Sequence, residues 1–209
     1  MSYEEIISDI NSGPNNVCLI AVSKKQSVEK IENIILKGHN DFGENQLQEV
    51  ENKWIPLKEK YPNTTLHFVG SIQSRKLERI FQLCDEIHSI DRLKLIVKIK
   101  ELEKKHKVSK SYYVQVNTGN EPQKSGVMLD EIDDFLHSAK FEYDFLIKGL
   151  MCLPPQKEDP KKHFLILKNI AEKHSILNLS MGMSDDFKDA IDCGATHIRL
   201  GTAIFGERS

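Results

Sequence analysis

Several things are scarce in this sequence. Its 209 residues hold four cysteines, Cys18, Cys84, Cys152 and Cys193, far apart and with no Cys-x-x-Cys pair, which excludes a disulfide scaffold. Three of them sit in or beside apolar runs, where a thiol behaves as a small hydrophobe. No His and Cys stand at metal-ligand spacing, so no metal site is expected. No apolar run is long enough to cross a bilayer. The acidic, amphipathic start MSYEEIISDI lacks the basic and apolar regions of a signal or transit peptide. Charge of one sign is also missing: 29 basic residues face 31 acidic ones, for a net charge of −2. Bulk attraction to nucleic acid or to an anionic membrane is thereby excluded. The pairs Lys104-Lys105 and Lys161-Lys162 read as solvated helix faces. These absences describe a soluble cytoplasmic protein with reduced thiols.

What is present is a rhythm. Ser2 and Glu5 form a capping box before Ile6, Ile7 and Ile10, and Gly13-Pro14 stops that first helix. A strand at 17–23 is followed by Val28, Ile31, Ile34 and Ile35 at helical spacing, with Gly38 as the stop. The pattern repeats. Strands near 41–43, 66–70, 86–90, 112–117, 145–153, 176–182 and 196–201 alternate with amphipathic helices. One helix is capped by Asp91, another opens at Asp159-Pro160, and a third holds Phe187, Ala190 and Ile191. Eight strands and seven intervening helices, plus the helix in front, predict parallel strands wrapped by helices. We read residues 1–209 as one domain of the α/β class, a single (β/α)8 TIM-type barrel with an extra N-terminal helix. The segment 118–128 reads as a polar loop.

Barrels of this kind build their sites at the C-terminal ends of the strands. Lys24, Gly43-Glu44-Asn45, Gly70, Asn117, Met151, Ser184 and Arg199-Gly201-Thr202 all stand there. Counting by twos, Cys18, Ile20, Val22 and Lys24 share one face, which we take as the interior. Lys24 is then either an amine held at the barrel mouth or a snorkelling lysine paired with Glu44. In THIRLGTAIFG, Ile198 and Leu200 suit the helix side, which turns Arg199 inward. A guanidinium cannot discharge itself, so it needs either a buried glutamate or an anionic or acceptor ligand. Gly201-Thr202 and the Ser184 hydroxyl offer donors for a phosphate. Asp185 and Asp186, in the first turn of a helix capped by Ser184, would repel a phosphate on that helix axis. An amine, an inward arginine and phosphate donors together match pyridoxal 5′-phosphate: an aldehyde, a ring nitrogen and a phosphate.

The chain resembles the pyridoxal-phosphate homeostasis family, single-barrel relatives of the N-terminal domain of alanine racemase. The resemblance is carried by AVSK (21–24), DFGENQ (41–46), HFVGSIQSRK (67–76), VNTGNEPQKSG (117–126), GLM (149–151), LSMGMSDDF (179–187) and GATHIRLGTAIFG (194–206). It implies that Lys24 is the Schiff-base lysine and that Arg199 faces the pyridine nitrogen. By the same resemblance Ser184, Gly201 and Thr202 hold the phosphate, and Asn45 lines the pocket beside the ring. It further implies a non-catalytic cofactor carrier in vitamin B6 homeostasis, with pyridoxal-phosphate-dependent apoenzymes as candidate recipients. No apolar interface patch is legible in the periodicity, so a monomer is the default expectation. Lys124, in QKSG, matches the family too, as a secondary amine or as an ordinary surface-loop lysine. The chain departs from the family at Lys25-Gln26-Ser27, where many members have Thr-Lys-Pro, and at Ser71, where proline is common.

An alternative is a weak pyridoxal-phosphate-dependent amino-acid racemase or lyase. Racemases of this fold need a second β-rich domain and an opposing tyrosine. With Ser209 soon after the last strand, no such domain is expected, and Tyr112 and Tyr113 begin a strand at the far end. A barrel holding some other sugar phosphate without covalent attachment is the third class.

Overall fold

The computed structural model describes residues 3–12 and 16–206. The Ser2 end of the expected capping box and the Gly13-Pro14 stop lie outside them. Helix α1 (Tyr3–Ser12) precedes β1 (Cys18–Val22), α2 (Val28–Leu36) and β2 (Asp41–Glu44). The next helical stretch has three parts: α3 (Leu47–Glu49), a wide π turn at Val50–Trp54, and α4 (Ile55–Lys60). After β3 (Thr65–Phe68), a 3-10 turn at Ser74–Lys76 runs into α5 (Leu77–Leu83). Then come β4 (Glu86–Ile90), α6 (Leu93–His106), β5 (Ser111–Asn117), β6 (Val127–Met128) and α7 (Ile132–Phe141). The chain continues through β7 (Gly149–Cys152), α8 (Pro160–Lys173), β8 (Asn178–Ser180), α9 (Phe187–Asp192), β9 (His197–Leu200) and α10 (Thr202–Phe205).

Every pairing is parallel, in the order β4-β3-β2-β1-β9-β8-β7-β5, and a β4–β5 pairing closes the ring. The expected barrel is present. Two-residue β6 pairs only with the C-terminal end of β5, Val116 with Val127 and Asn117 with Met128, within the segment that reads as a loop. The strands expected at 145–153 and 176–182 are shorter than their apolar runs. Leu146 and Leu177 lie outside the sheet and are 85% and 84% exposed. Asp91 does not cap α6: Arg92 is the N-cap residue without a side-chain bond, and Asp91 accepts from the Arg92 guanidinium. Among the described residues no helix is long and apolar enough to cross a membrane.

The period-two alternation sorts the side chains. Leu19, Ala21, Ile198 and Leu200 join the apolar layer between strands and helices, with Phe42, Leu66, Ile87 and Leu150. Ile20, Val22 and Arg199 face the barrel axis. A Cβ on Gly43 would lie 2.9 Å from Ile20 Cγ2, so Gly43 faces the axis as well. Branched aliphatic residues usually fill such an axis. Here it holds His67, His88, Tyr113, Gln115 and Ser180, all buried. Tyr113 stacks on His88 at 3.9 Å and 9°, and its hydroxyl lies 3.1 Å from His197 Nε2. Buried polar groups are tolerated only when hydrogen-bonded, so this core is a network, and its shape is fixed by where the bonds must go.

That makes Gly149, on β7, sensitive. A Cβ there would sit 2.4 Å from Tyr113 Cδ1 and 2.7 Å from the Asn178 carbonyl oxygen. Gly149→Ala should cost about 1–3 kcal/mol through overpacking, read as a lower urea midpoint at unchanged slope.

Candidate functional site

A cleft of about 1310 Å³ opens at the C-terminal rim of the barrel. Lys24, Asn45, Ser184, Arg199, Gly201 and Thr202 all line it. Topology brings them together, because β9 pairs with β1, with Ile20 opposite Arg199 and Ala21 opposite Leu200. The lysine after β1 and the arginine of β9 therefore stand on neighbouring strands, where the last strand of the chain lies beside the first.

Arg199 is 4% exposed. Its Nη1 donates to Ser180 Oγ at 2.8 Å and its Nη2 to the Cys152 carbonyl oxygen at 2.8 Å. Both partners are neutral. Among the described residues no carboxylate forms an ion pair with it, which disposes of the buried Arg–Glu alternative. Burial pushes its pKa down, but a guanidinium keeps its charge in a protein. Its five N–H donors outnumber these two acceptors, so the cleft receives a fixed positive charge with donors to spare.

Lys24 is half-buried, and no ion pair engages it among the described residues. Glu44, its candidate partner, is fully buried and bonded elsewhere: Lys53 Nζ lies 2.6 Å from Glu44 Oε1. Lys53 also reaches Glu49 Oε2 at 2.8 Å and the Ser23 carbonyl oxygen at 2.7 Å. Glu49 Oε2 in turn accepts the backbone N–H of Lys25 at 2.5 Å. Lys25 has φ of 58°, a left-handed conformation uncommon outside glycine. The peptide units on both sides of Lys24 are thus tied to a buried lysine–glutamate cluster. Lys53 stands in the π turn, a distortion often found at functional sites. Sequence reasoning missed it, because a lysine inside an amphipathic helix reads as solvated.

Asn45 Oδ1 is buried with no hydrogen-bond partner. Its backbone is fixed from the next strand: a Cβ on Gly70 would fall 2.0 Å from the Asn45 carbonyl oxygen, so only glycine lets the two loops pass. Thr202 Oγ1 donates to Ser184 Oγ at 3.1 Å, which joins the loops after β8 and β9. Ser184 does not cap the following helix as expected. Asp186 is the N-cap residue of α9, and its Oδ1 accepts the Met183 N–H at 2.6 Å. That bond turns Asp186 back on its own loop. Lys124 also lines the cleft, ion-paired with Glu121 Oε2 at 2.5 Å, beside Gln115 and Pro154-Pro155.

The family model described as the alanine racemase N-terminal domain matches residues 8–209. A pyridoxal phosphate homeostasis protein of Vibrio alginolyticus is 34% identical over 205 residues, 93% of this chain and 88% of the relative. One from Escherichia coli is 31% identical over 204 residues, 93% of this chain and 87% of the relative. The chain belongs to the pyridoxal phosphate homeostasis protein family. Among solved structures, PipY of Synechococcus elongatus without PLP superposes with a TM-score of 0.89 at 30% identity, covering 97% of this chain and 99% of PipY. The PLP-bound form of PipY gives 0.86 at 29% identity, with the same coverage. Alanine racemase from Corynebacterium glutamicum, at 15% identity and TM-score 0.67, shares the fold; this chain spans 55% of it.

The Lys53 cluster generates a prediction. Burial pushes the Glu44 carboxyl up, against the opposing pull of Lys53. Lys53→Met leaves that carboxylate unpaired and should cost about 3–5 kcal/mol at pH 8. Without Lys53 the folded-state pKa of Glu44 rises further above the unfolded value. The penalty is then full above the folded pKa and shrinks as pH falls towards the unfolded one. Urea melts of variant and wild type at pH 8 and pH 5 should show the gap narrowing at pH 5.

Proposed function

We propose that this chain is a single-domain pyridoxal 5′-phosphate-binding protein of vitamin B6 homeostasis, which holds the cofactor as a Schiff base on Lys24 without catalytic turnover. The observation that carries the reading is Arg199: a buried guanidinium facing an open cleft, whose hydrogen-bond partners among the described residues are both neutral. A ligand with an acceptor at that point completes its hydrogen bonding. The rest of the donor set fits the same group. Asn45 Oδ1 is a buried acceptor awaiting a donor, and the joined hydroxyls of Ser184 and Thr202 suit a phosphate. A Cβ on Gly201 would come no nearer to protein than 3.5 Å, at the Val22 carbonyl oxygen. Packing does not demand glycine there, whereas close approach of a ligand to the backbone does. The PLP-bound PipY structure and the relatives named pyridoxal phosphate homeostasis protein support the cofactor's identity.

When bound, the cofactor supplies an aldehyde for an amine and a ring that can take up electron density. The residues here restrain the second property. Arg199, always charged and donor-only, would donate an N–H to the ring nitrogen and has no proton to give up to it. Its bond to Ser180 and the Cys152 carbonyl holds it in that role. Lys24 stands on a loop fixed at Ser23 and Lys25, so its amine is presented to the cleft. Tyr113 lies within the barrel against His88 and His197, away from the rim, and cannot serve as an opposing base. We therefore read storage and delivery, with apoenzymes as recipients, in a cytoplasmic monomer. Weak racemase or lyase activity is the alternative, and nothing in the cleft favours it.

Visible absorbance of the purified protein loaded with pyridoxal phosphate, before and after borohydride, tests the linkage. Wild type should show a yellow band that reduction bleaches to a stable adduct on Lys24, and Lys24→Ala should show neither. A wild type that stays colourless with added cofactor would end the reading. Prolonged incubation of the loaded protein with a single-enantiomer amino acid should produce none of the other enantiomer; measurable racemisation would establish the enzymatic alternative.

A further inference from the structure

The barrel axis carries a second cluster, towards the N-terminal ends of the strands. His67 on β3 and Glu86 on β4 are register partners, and His88 lies two residues along β4 on the same face. Their atoms converge. His67 Nδ1 and His88 Nε2 are 3.0 Å apart, and Glu86 Oε2 lies 3.5 Å from the first and 3.6 Å from the second. A triangle of that size has a point about 2 Å from all three corners, the length of a zinc bond to imidazole nitrogen or carboxylate oxygen.

The surroundings are those of ligands already oriented. His67 Nε2 lies 3.2 Å from Asp41 Oδ1, and His88 Nδ1 lies 2.9 Å from Ser180 Oγ. An outer carboxylate or hydroxyl on the far ring nitrogen fixes the tautomer and turns the other nitrogen to a metal. Both histidines are buried, at 1% and 0% exposure, and the Glu86 and Asp41 side chains keep 13% and 36%, which leaves a way in from the base. Glu86 Oε1 takes Lys148 Nζ at 2.6 Å, while its Oε2 is buried with no hydrogen-bond partner.

A competing arrangement uses one proton in place of a metal. Arg199 donates to Ser180, Ser180 to His88 Nδ1, His88 Nε2–H to His67 Nδ1, and His67 Nε2–H to Asp41. Each of those bonds has acceptable length, and the chain satisfies both rings. It leaves Glu86 Oε2 orphaned beside them. A buried carboxylate oxygen without a partner is costly, and a cation at the centre of the triangle is what would offset it.

We propose that His67, His88 and Glu86 form a binding site for a divalent transition-metal ion of the zinc class. Two imidazoles and one carboxylate suit zinc; calcium and magnesium favour all-oxygen sets. Three protein ligands leave room for water in the remaining position. This site is separate from the cofactor cleft, and its test does not depend on the cofactor reading.

The test titrates chelator-stripped full-length protein with Zn(II) alone, and in parallel with Co(II), whose visible bands report coordination geometry. Wild type should take up one ion per chain and give the intense cobalt bands of a four-coordinate site. Glu86→Gln, which keeps shape and removes charge, should weaken uptake at least tenfold while circular dichroism stays unchanged. His88→Gln should do the same; if it fails to fold, Glu86→Gln decides alone. A wild type that binds no stoichiometric ion would overturn the proposal in favour of the shared proton. Uptake that survives substitution in a folded variant would overturn it by placing the ion elsewhere.

Discussion

A guanidinium that is almost wholly buried, hydrogen-bonded among the described residues to a serine hydroxyl and a backbone carbonyl, imposes order on everything around it. Arg199 cannot neutralise itself, and its two partners must be delivered from β8 and β7. Those strands reach it because β8 pairs with β9 and β7 with β8, on the side of β9 away from β1. The apolar layer outside the strands supplies the burial that makes such a charge tolerable, and the cleft supplies its open side. Stability and function pull on the same residue. The packing that excludes water from Arg199 is also what makes its field strong where a ligand would sit.

The second fixed point is the loop after β1. A lysine on a flexible loop would present its amine over a wide volume, at a cost in entropy on binding. Here the loop is held by its own backbone: Ser23 N–H to the Gly43 carbonyl, the Ser23 carbonyl to Lys53, and Lys25 N–H to Glu49. Lys53 is almost wholly buried with three acceptors, one for each ammonium proton. Glu44, whose neighbour Asn45 lines the cleft, is the buried anion it offsets. The same ion pair therefore positions side chains from the loops after both β1 and β2. The π turn carries Lys53 between the buried Val50 and Trp54, where its ammonium meets Glu44, Glu49 and the Ser23 carbonyl.

Much of this was legible in the sequence because it rests on periodicity. Alternation of two put Arg199 on the axis and Ile198 and Leu200 outside, and the rule that barrel sites occupy strand C-termini collected Lys24, Asn45, Ser184, Gly201 and Thr202 on one rim. What failed to show depends on register between strands. His67 and Glu86 are nineteen residues apart and become neighbours only through the β3–β4 pairing, so no linear spacing marks them. Strand ends were overextended where apolar residues such as Leu146 and Leu177 face solvent, since hydropathy alone cannot tell an exposed leucine from a buried one. The Ser184 and Asp91 caps failed for a related reason. A capping residue is defined by one local dihedral choice, and in each case a neighbouring residue took the position.

The polar axis links the two ends of the molecule. From Arg199 at the rim, a line of polar contacts of 2.8–3.2 Å passes through Ser180, His88 and His67 to Asp41 near the base. An aliphatic core of equal volume would avoid the desolvation of four polar side chains. It would also leave Arg199 without its Ser180 acceptor and free to turn. The network restrains the guanidinium because the members are linked in series, so a change of partner at any ring propagates along the line. Whatever occupies the space between His67, His88 and Glu86 therefore sets which nitrogen of His88 carries its proton. That in turn sets whether Ser180 donates to His88 or accepts from it. The base of the barrel and the ligand-facing arginine are joined by the direction of one hydroxyl.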